Sequence, residues 1–330
     1  MVEYTKTWLS VEDQAAKLGL RGVSFGDGTS CLSLLSAVGY YRLTGYLYPF
    51  RESRAYRDSA GRERVRILSS YRPGTSIEYA SQLIDFDRRL RMLVLDGIER
   101  VEISFRMQLG YVLGRVSAFG HLDSANFVGA FTQERLDATS GESLPSKHEE
   151  WMARVRERQA SSDEAFVTHF REKYDDRMPI WALTEILELG QLGRLYSGLS
   201  NSIASEISAA YGAPTKKMMS SWISSINYVR NVSAHHARLF NRKLVSAPAR
   251  PAVGQVPLLD HLRAAVSSKE VFGLYNVLAV IAFLLRTIEP DSGWNERMVE
   301  LMREFPSSGP VSLRSIGIPA LWTALDLWRE

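Results

Sequence analysis

Residues 77–113 read IEYASQLIDFDRRLRMLVLDGIERVEISFRMQLGYVL. Leu83, Phe86, Leu90, Leu93, Val94, Ile98, Val101, Phe105 and Leu109 recur at spacings of three and four. A helix turns once every 3.6 residues, so this series lines one face of a single long helix. Glu99, Glu102 and Arg106 fall at i, i+3 and i+7 and share a second face.

Helix signals continue on both sides of this stretch. Ser10 followed by Glu12 and Asp13 marks a helix start, and Gly19 and Gly22 mark its end. A short helix over 30–37 leads into the aromatic run 38–50, which is too apolar for an exposed loop. Residues 51–76 read as a loop with a short hairpin. It holds seven arginines against three acids, a local basic excess that is a candidate phosphate contact as well as an ordinary solvated loop. Gly141 and Pro145 break the polar stretch 132–164, which reads as a surface excursion with a helix at 149–159. Further helices are expected over 180–196, 216–244, 269–288, 294–304 and 319–328. Pro248, Pro251 and Pro257 place a loop after the second of these. Strand alternation of useful length, internal repeats, a P-loop, GxGxxG and HExxH are all lacking. The expected fold is all-α with bundle-like packing. It divides into an N-terminal helical and aromatic region, 1–76, and a helical domain, 77–330.

Composition excludes several classes. With 45% hydrophobic and 23% charged residues, a chain of 330 residues has enough apolar material for a sizeable core. Cys31 is its one cysteine, so an internal disulfide is impossible, and a reducing cytoplasm fits. Met1 to Lys6 lack the apolar run of a signal peptide. The longest apolar run, Val277 to Leu285, is about half of the roughly 20 residues a membrane span needs and reads as a core helix. Net charge is only +3, but Arg outnumbers Lys roughly four to one. Arginine's planar fork suits phosphate and stacks on bases. A high-GC genome produces the same bias.

The chemistry-bearing stretch is Arg230-Asn231-Val232-Ser233-Ala234-His235-His236. On a helix over 216–244, Ser224, Asn227, Asn231, His235, Arg238 and Arg242 fall within about 40° of one line. Trp222, Ile226, Val229, Ser233 and Phe240 fall opposite. Arg230 lies on the flank, and His236 projects toward the core side. Two of six histidines thus sit among arginines and amides. RNA carries its own nucleophile, the 2′-hydroxyl. An enzyme need only take that proton, stabilise the phosphorane and protonate the leaving 5′-oxygen. Histidine, with an unperturbed pKa of about 6.5, suits the proton transfers. Arginine suits the phosphorane. No metal or other cofactor is needed. Arg230 and His235 are the candidate catalytic pair, with Asn231, His236, Glu102 and Arg106 assisting. Asn227, Arg238, Arg242 and Lys243 are candidate RNA contacts. One His and one Arg per chain make a thin site, so a symmetric homodimer is expected. A non-catalytic RNA-binding or regulatory helical protein would keep the basic face and need no particular histidine.

Arg230-Asn231-x-x-Ala234-His235-His236-x-Arg238-Leu239-x-Asn241-Arg242 resembles the motif of bacterial abortive-infection proteins of the Abi-like D/F type. Gly39-Tyr40-Tyr41-Arg42-Leu43-x-Gly45-Tyr46, Phe86-Asp87-Arg88-x-Leu90-Arg91, Glu99-Arg100-x-Glu102-Ile103, Pro179-Ile180-Trp181 and Gly317-Ile318-Pro319-x-x-Trp322 fit in the expected order. That family resembles a branch of the HEPN superfamily, helical ribonucleases marked by Arg, four to six residues and His. The resemblance implies a HEPN-like bundle with an N-terminal helical extension and C-terminal helices. It also implies catalytic places for Arg230 and His235 and the polar place for Asn231. The function implied is phage defence or toxin–antitoxin biology, with a structured small RNA as neutralising partner.

Overall fold

A computed structural model describes residues 3–5, 7–26, 29–265 and 267–329, the side chain of Thr29 aside. Met1, Val2 and Lys6, part of the stretch expected to lack a signal peptide, lie outside them.

The fold is mostly helical. Ser10 caps α1 (Val11–Leu20) by accepting from the Asp13 amide at 3.1 Å. Next come α2 (Thr29–Val38) and α3 (Tyr40–Leu47). The expected loop at 51–76 is a regular antiparallel ribbon, β1 (Arg51–Arg57) with β2 (Glu63–Tyr71). Arg54 stands opposite Arg66, and Tyr56 opposite Arg64. Most of the ribbon is exposed on both faces, so no one-sided burial imposes the alternation that marks a strand.

The stretch 77–113 lies in α4 (Ile77–Val116), a helix roughly 60 Å long, capped by Ser76. Its apolar face is buried along its length, from Ile77 to Leu113. Glycine inside a helix is unfavourable by up to about 1 kcal/mol, and α4 holds Gly97 and Gly110 where neighbours approach closely. A Cβ on Gly97 would stand 2.6 Å from the Trp294 indole nitrogen, which donates to the Leu93 carbonyl at 2.8 Å. A Cβ on Gly110 would stand 2.9 Å from the Trp181 Cα.

Beyond α4 come α5 (Gly129–Thr132), the small ribbon β3 (Arg135–Leu136) and β4 (Ser143–Leu144), and α6 (Lys147–Ala160). Within the expected surface excursion the ribbon is largely exposed. By contrast, α6 docks through the fully buried Trp151, which donates to the Gln191 carbonyl at 3.0 Å. Next are α7 (Ala165–Tyr174), α8 (Ile180–Ile186), α9 (Leu189–Gly198), α10 (Asn201–Ala210) and α11 (Lys216–Ala234). The helix expected over 180–196 is broken because Glu188 and Gln191 form a capping box that restarts it as α9. A 3-10 segment, Pro257–Ala264, separates α11 from α12 (Ser268–Val271); α13 (Tyr275–Ile288) follows, and a 3-10 turn, Pro290–Ser292, separates it from α14 (Trp294–Arg303); 319–328 holds two more such turns in place of the expected helix. Among the described residues one segment, Ser268–Ile288, is long and apolar enough to cross a membrane, but 67% of its apolar 18-residue window is buried inside the fold, and α13 is a core helix as expected. The spine α4 touches α3, α8, α9, α10, α11, α13 and α14.

Candidate functional site

Two helices build the site. Thr215 caps α11 at the Met218 amide, and Trp222, Ile226, Val229 and Ser233 bury the face predicted to be core. The far end departs from expectation. The helix stops at Ala234 and does not continue to 244. His235 donates to the Asn231 carbonyl, His236 to Ser233 and Ala237 to Val232, each at 3.0 Å. His236 sits at φ 55°. This is a helix-ending turn of the kind glycine usually closes, with histidine in the left-handed position. A side chain there costs on the order of 1–2 kcal/mol, so the surroundings must hold the turn in place.

Asp87 provides that hold. Its carboxylate is fully buried on α4 and accepts from the Leu239 amide at 3.2 Å and the Phe240 amide at 2.7 Å. The Tyr46 hydroxyl and Arg91 each donate to it at 2.5 Å. Burial pushes the Asp87 carboxyl above its ordinary value, against these four donors. Burial, then the carboxylate's charge, pushes Tyr46 up to about 12. Leu239, Phe240 and Leu244 are buried beyond the turn, and Phe240 stacks on Tyr46. Three separated stretches of sequence, around Tyr46, Asp87 and Leu239, thus meet at one carboxylate.

The turn redistributes the predicted residues. His235 and His236 are both exposed. The expectation that His236 faces the core is therefore wrong: its left-handed backbone swings the ring outward. The polar line to Arg242 does not persist, because Arg238 and Arg242 are off the helix. Arg238 donates to the Gly45 carbonyl and lies 5.8 Å from the Tyr46 ring centre. Arg242 donates to the Arg238 carbonyl at 2.7 Å and reaches the Tyr228 hydroxyl at 3.4 Å. Both are half-buried, and their contacts brace the chain. Lys243 stays exposed, with its ammonium 5.0 Å from the Phe272 ring centre.

Arg230 does meet the predicted α4 residues. It lines a 320 Å³ groove with Glu99, Glu102, Ile103 and Arg106. Glu102 is buried and pairs with Arg106 at 2.7 Å. The Arg106 Nε is buried with no hydrogen-bond partner among the described residues. One Arg230 nitrogen donates to the Asn231 side-chain oxygen at 3.3 Å. Asn227, two turns before the helix end, instead lines a second groove with Arg194 and Lys147. Asp87 and Tyr46 were missed as positioning residues. Both lay inside recognisable motifs, but their meeting with 239–240 is a contact across more than 150 positions.

Comparison with known proteins places this arrangement in a family. A family model described as Abi-like protein matches residues 33–241, well over half the chain, and the chain belongs to that family. The match opens within α2 and closes just beyond the residues held by Asp87; the C-terminal stretch Gly317 to Trp322 lies outside it. Membership points to a role in abortive infection and defence, and is compatible with a nuclease-type role. No curated protein and no solved structure matches the chain.

Proposed function

We propose that the protein is a metal-independent endoribonuclease of HEPN type, acting in phage defence or as the toxin of an RNA-neutralised pair in the cytoplasm. The observation that carries this reading is the end of α11. Two exposed imidazoles follow one turn after a half-buried arginine, on a turn that a buried carboxylate fixes. His235 takes the 2′-hydroxyl proton, O2′ bonds to phosphorus, and the P–O5′ bond breaks. A second imidazole gives a proton to the departing 5′-oxygen, and Arg230 stabilises the charged phosphorane. Glu102 and Arg106 position the Arg230 end of the groove.

The two imidazoles must lie on opposite sides of the phosphorus, which adjacent residues on one turn serve poorly. A homodimer with its two-fold axis near the α4–α11 groove would supply one from each chain. Ile103, which lines the groove beside Arg230, and Met107, one turn further along α4, are 54% and 52% exposed and offer the apolar contact for it. A structured small RNA covering the cleft would silence it.

The deciding experiment compares wild type with His235→Ala on RNA and matching DNA in chelator, with the mass of the active species measured by light scattering. Wild type should cut RNA alone, leaving 2′,3′-cyclic phosphate and 5′-hydroxyl ends. The variant should lose about 10²–10⁴-fold in rate without a change in melting. Full activity of the variant, or a magnesium requirement, would sink the proposal. A strict monomer cutting at full rate would remove its two-fold part.

A further inference from the structure

The groove around Asn227 has basic residues in its wall and no acidic ones. It encloses 470 Å³ between α9, α11 and the start of α6, and no carboxylate lines it. Arg194 is half-buried there and Lys147 stands at its edge. Among the described residues neither has an ion-pair or hydrogen-bond partner, whereas Arg115, for example, pairs with Glu206 at 2.6 Å. The Asn227 amide and the Ser224 hydroxyl on α11 likewise face the groove without a partner. Gly190 keeps that amide open: a Cβ there would stand 3.2 Å from the Asn227 nitrogen. Val128 and the buried Phe131 and Ile223 give the groove an apolar wall.

A half-buried guanidinium with no counter-ion is stable only where an anion or water completes its shell. An apolar wall beside it adds a place for a flat ring. Its volume falls within the usual range for small-ligand sites. These features together fit a nucleotide, phosphate on Arg194 and Lys147 and base against Phe131 and Ile223. The source of that nucleotide follows from α11. Ser224, Asn227 and Asn231 share one face, and Ser224 lies about 9 Å along the axis from Arg230. A short single strand bridges that distance.

We infer that this groove is a nucleotide subsite for the substrate strand, holding a phosphate and base upstream or downstream of the bond placed at Arg230 and His235. The inference rests on the ribonuclease reading for the word substrate, but its test does not depend on cleavage. Binding of a fluorescent 2′-O-methyl RNA oligonucleotide is measured by anisotropy across a salt series. Wild type is compared with Arg194→Ala/Lys147→Ala, with Arg194→Lys and with Lys147→Ala, and thermal melting reports folding. The double variant should bind about tenfold more weakly, and its slope of log K against log salt should fall by about 0.7, the value for one phosphate no longer neutralised on a single strand. Arg194→Lys, which keeps the charge, should hold the wild-type slope, and Lys147→Ala, at an exposed position, should weaken binding with a reduced slope and covers the case in which the double variant melts early. Unchanged affinity and slope in the double variant would overturn the inference. So would AMP competing as well as the oligonucleotide, which makes the groove a free-nucleotide site, or polyglutamate competing as well, which makes it a site for acidic peptide. If His235→Ala still cleaves while the groove variants lose binding, the proposed catalysis fails and the nucleotide subsite stands.

Discussion

Two clusters sit a few residues apart at the end of α11 and are built on opposite terms. Around Asp87 the polar groups named above are buried and matched: one carboxylate, a tyrosine, an arginine and two amides. At the rim, Arg230 is half-buried and His235 and His236 face solvent. A single run of sequence, Arg230 to Arg242, feeds both. The first cluster explains Arg238, Leu239 and Phe240 as residues that hold the chain. The second leaves Arg230 and the histidines as residues free to act. The most basic part of the motif is thus divided between bracing and the proposed chemistry, a division that charge alone does not reveal.

The hardest test of that division is Asp87→Ala. Removing one partner from a buried charged network leaves Arg91 and two amides unsatisfied, which costs about 3–5 kcal/mol. Urea unfolding should show that loss, and any RNA cleavage should fall with it because the turn is released. A variant as stable as wild type would mean that the carboxylate does not hold the turn.

A third kind of histidine sharpens the contrast. His121 is buried, and its Nδ1 has no hydrogen-bond partner among the described residues. Burial, helped by the nearby His148, pushes it down to about 4. The unfolded chain binds a proton near 6.5, so it takes up that proton first as pH falls. Stability should therefore decline from about pH 6.5 toward pH 4 and level off below, by up to roughly 3 kcal/mol from this group. Melting curves of His121→Leu should lack this part of the decline. If they retain all of it, the acid sensitivity belongs to other groups.

The smallest effect is expected at His236. The ring is exposed and the backbone is left-handed, so His236→Gly should stabilise the fold by up to about 1 kcal/mol. His236→Ala keeps the unfavourable φ and should melt close to wild type. A large loss of stability with alanine would restore a buried role for the ring and contradict the exposed placement.

These residues also show where the sequence was readable. The apolar spacing in 77–113 specifies α4 because burial acts along its whole face. The same spacing misled at 235–244. Leu239, Phe240 and Leu244 continue a helical pattern and are buried, but in an irregular turn set by a distant aspartate. Periodicity records that a residue is buried and not which partner buries it. The break before α9 left a readable sign in Glu188 and Gln191. The break before α13 left one in Gly273, where a Cβ would stand 2.8 Å from the Gly317 Cα. Of the site, helix spacing places Glu99, Glu102 and Arg106 on one face of α4, but that this face lines a groove with Arg230 is a tertiary contact that spacing does not give. Nor does it give the outward turn of His236, because a left-handed φ at histidine has no sequence signature.

The ribbon β1–β2 has a further consequence, for solubility. It consists of two strands, and apart from Tyr71, whose amide donates to the Arg21 carbonyl at 2.7 Å, no further strand pairs with its outer edges among the described residues. Open edges invite a strand from another molecule, and this ribbon also exposes Val65 and Ile67 on one face. Arg54 and Arg66 stand across from each other on its other face, an unfavourable pairing within one chain. Between chains the same repulsion acts at every attempted edge-to-edge contact. The same charges that weaken the ribbon slightly within one chain disfavour a second ribbon pairing along its edge.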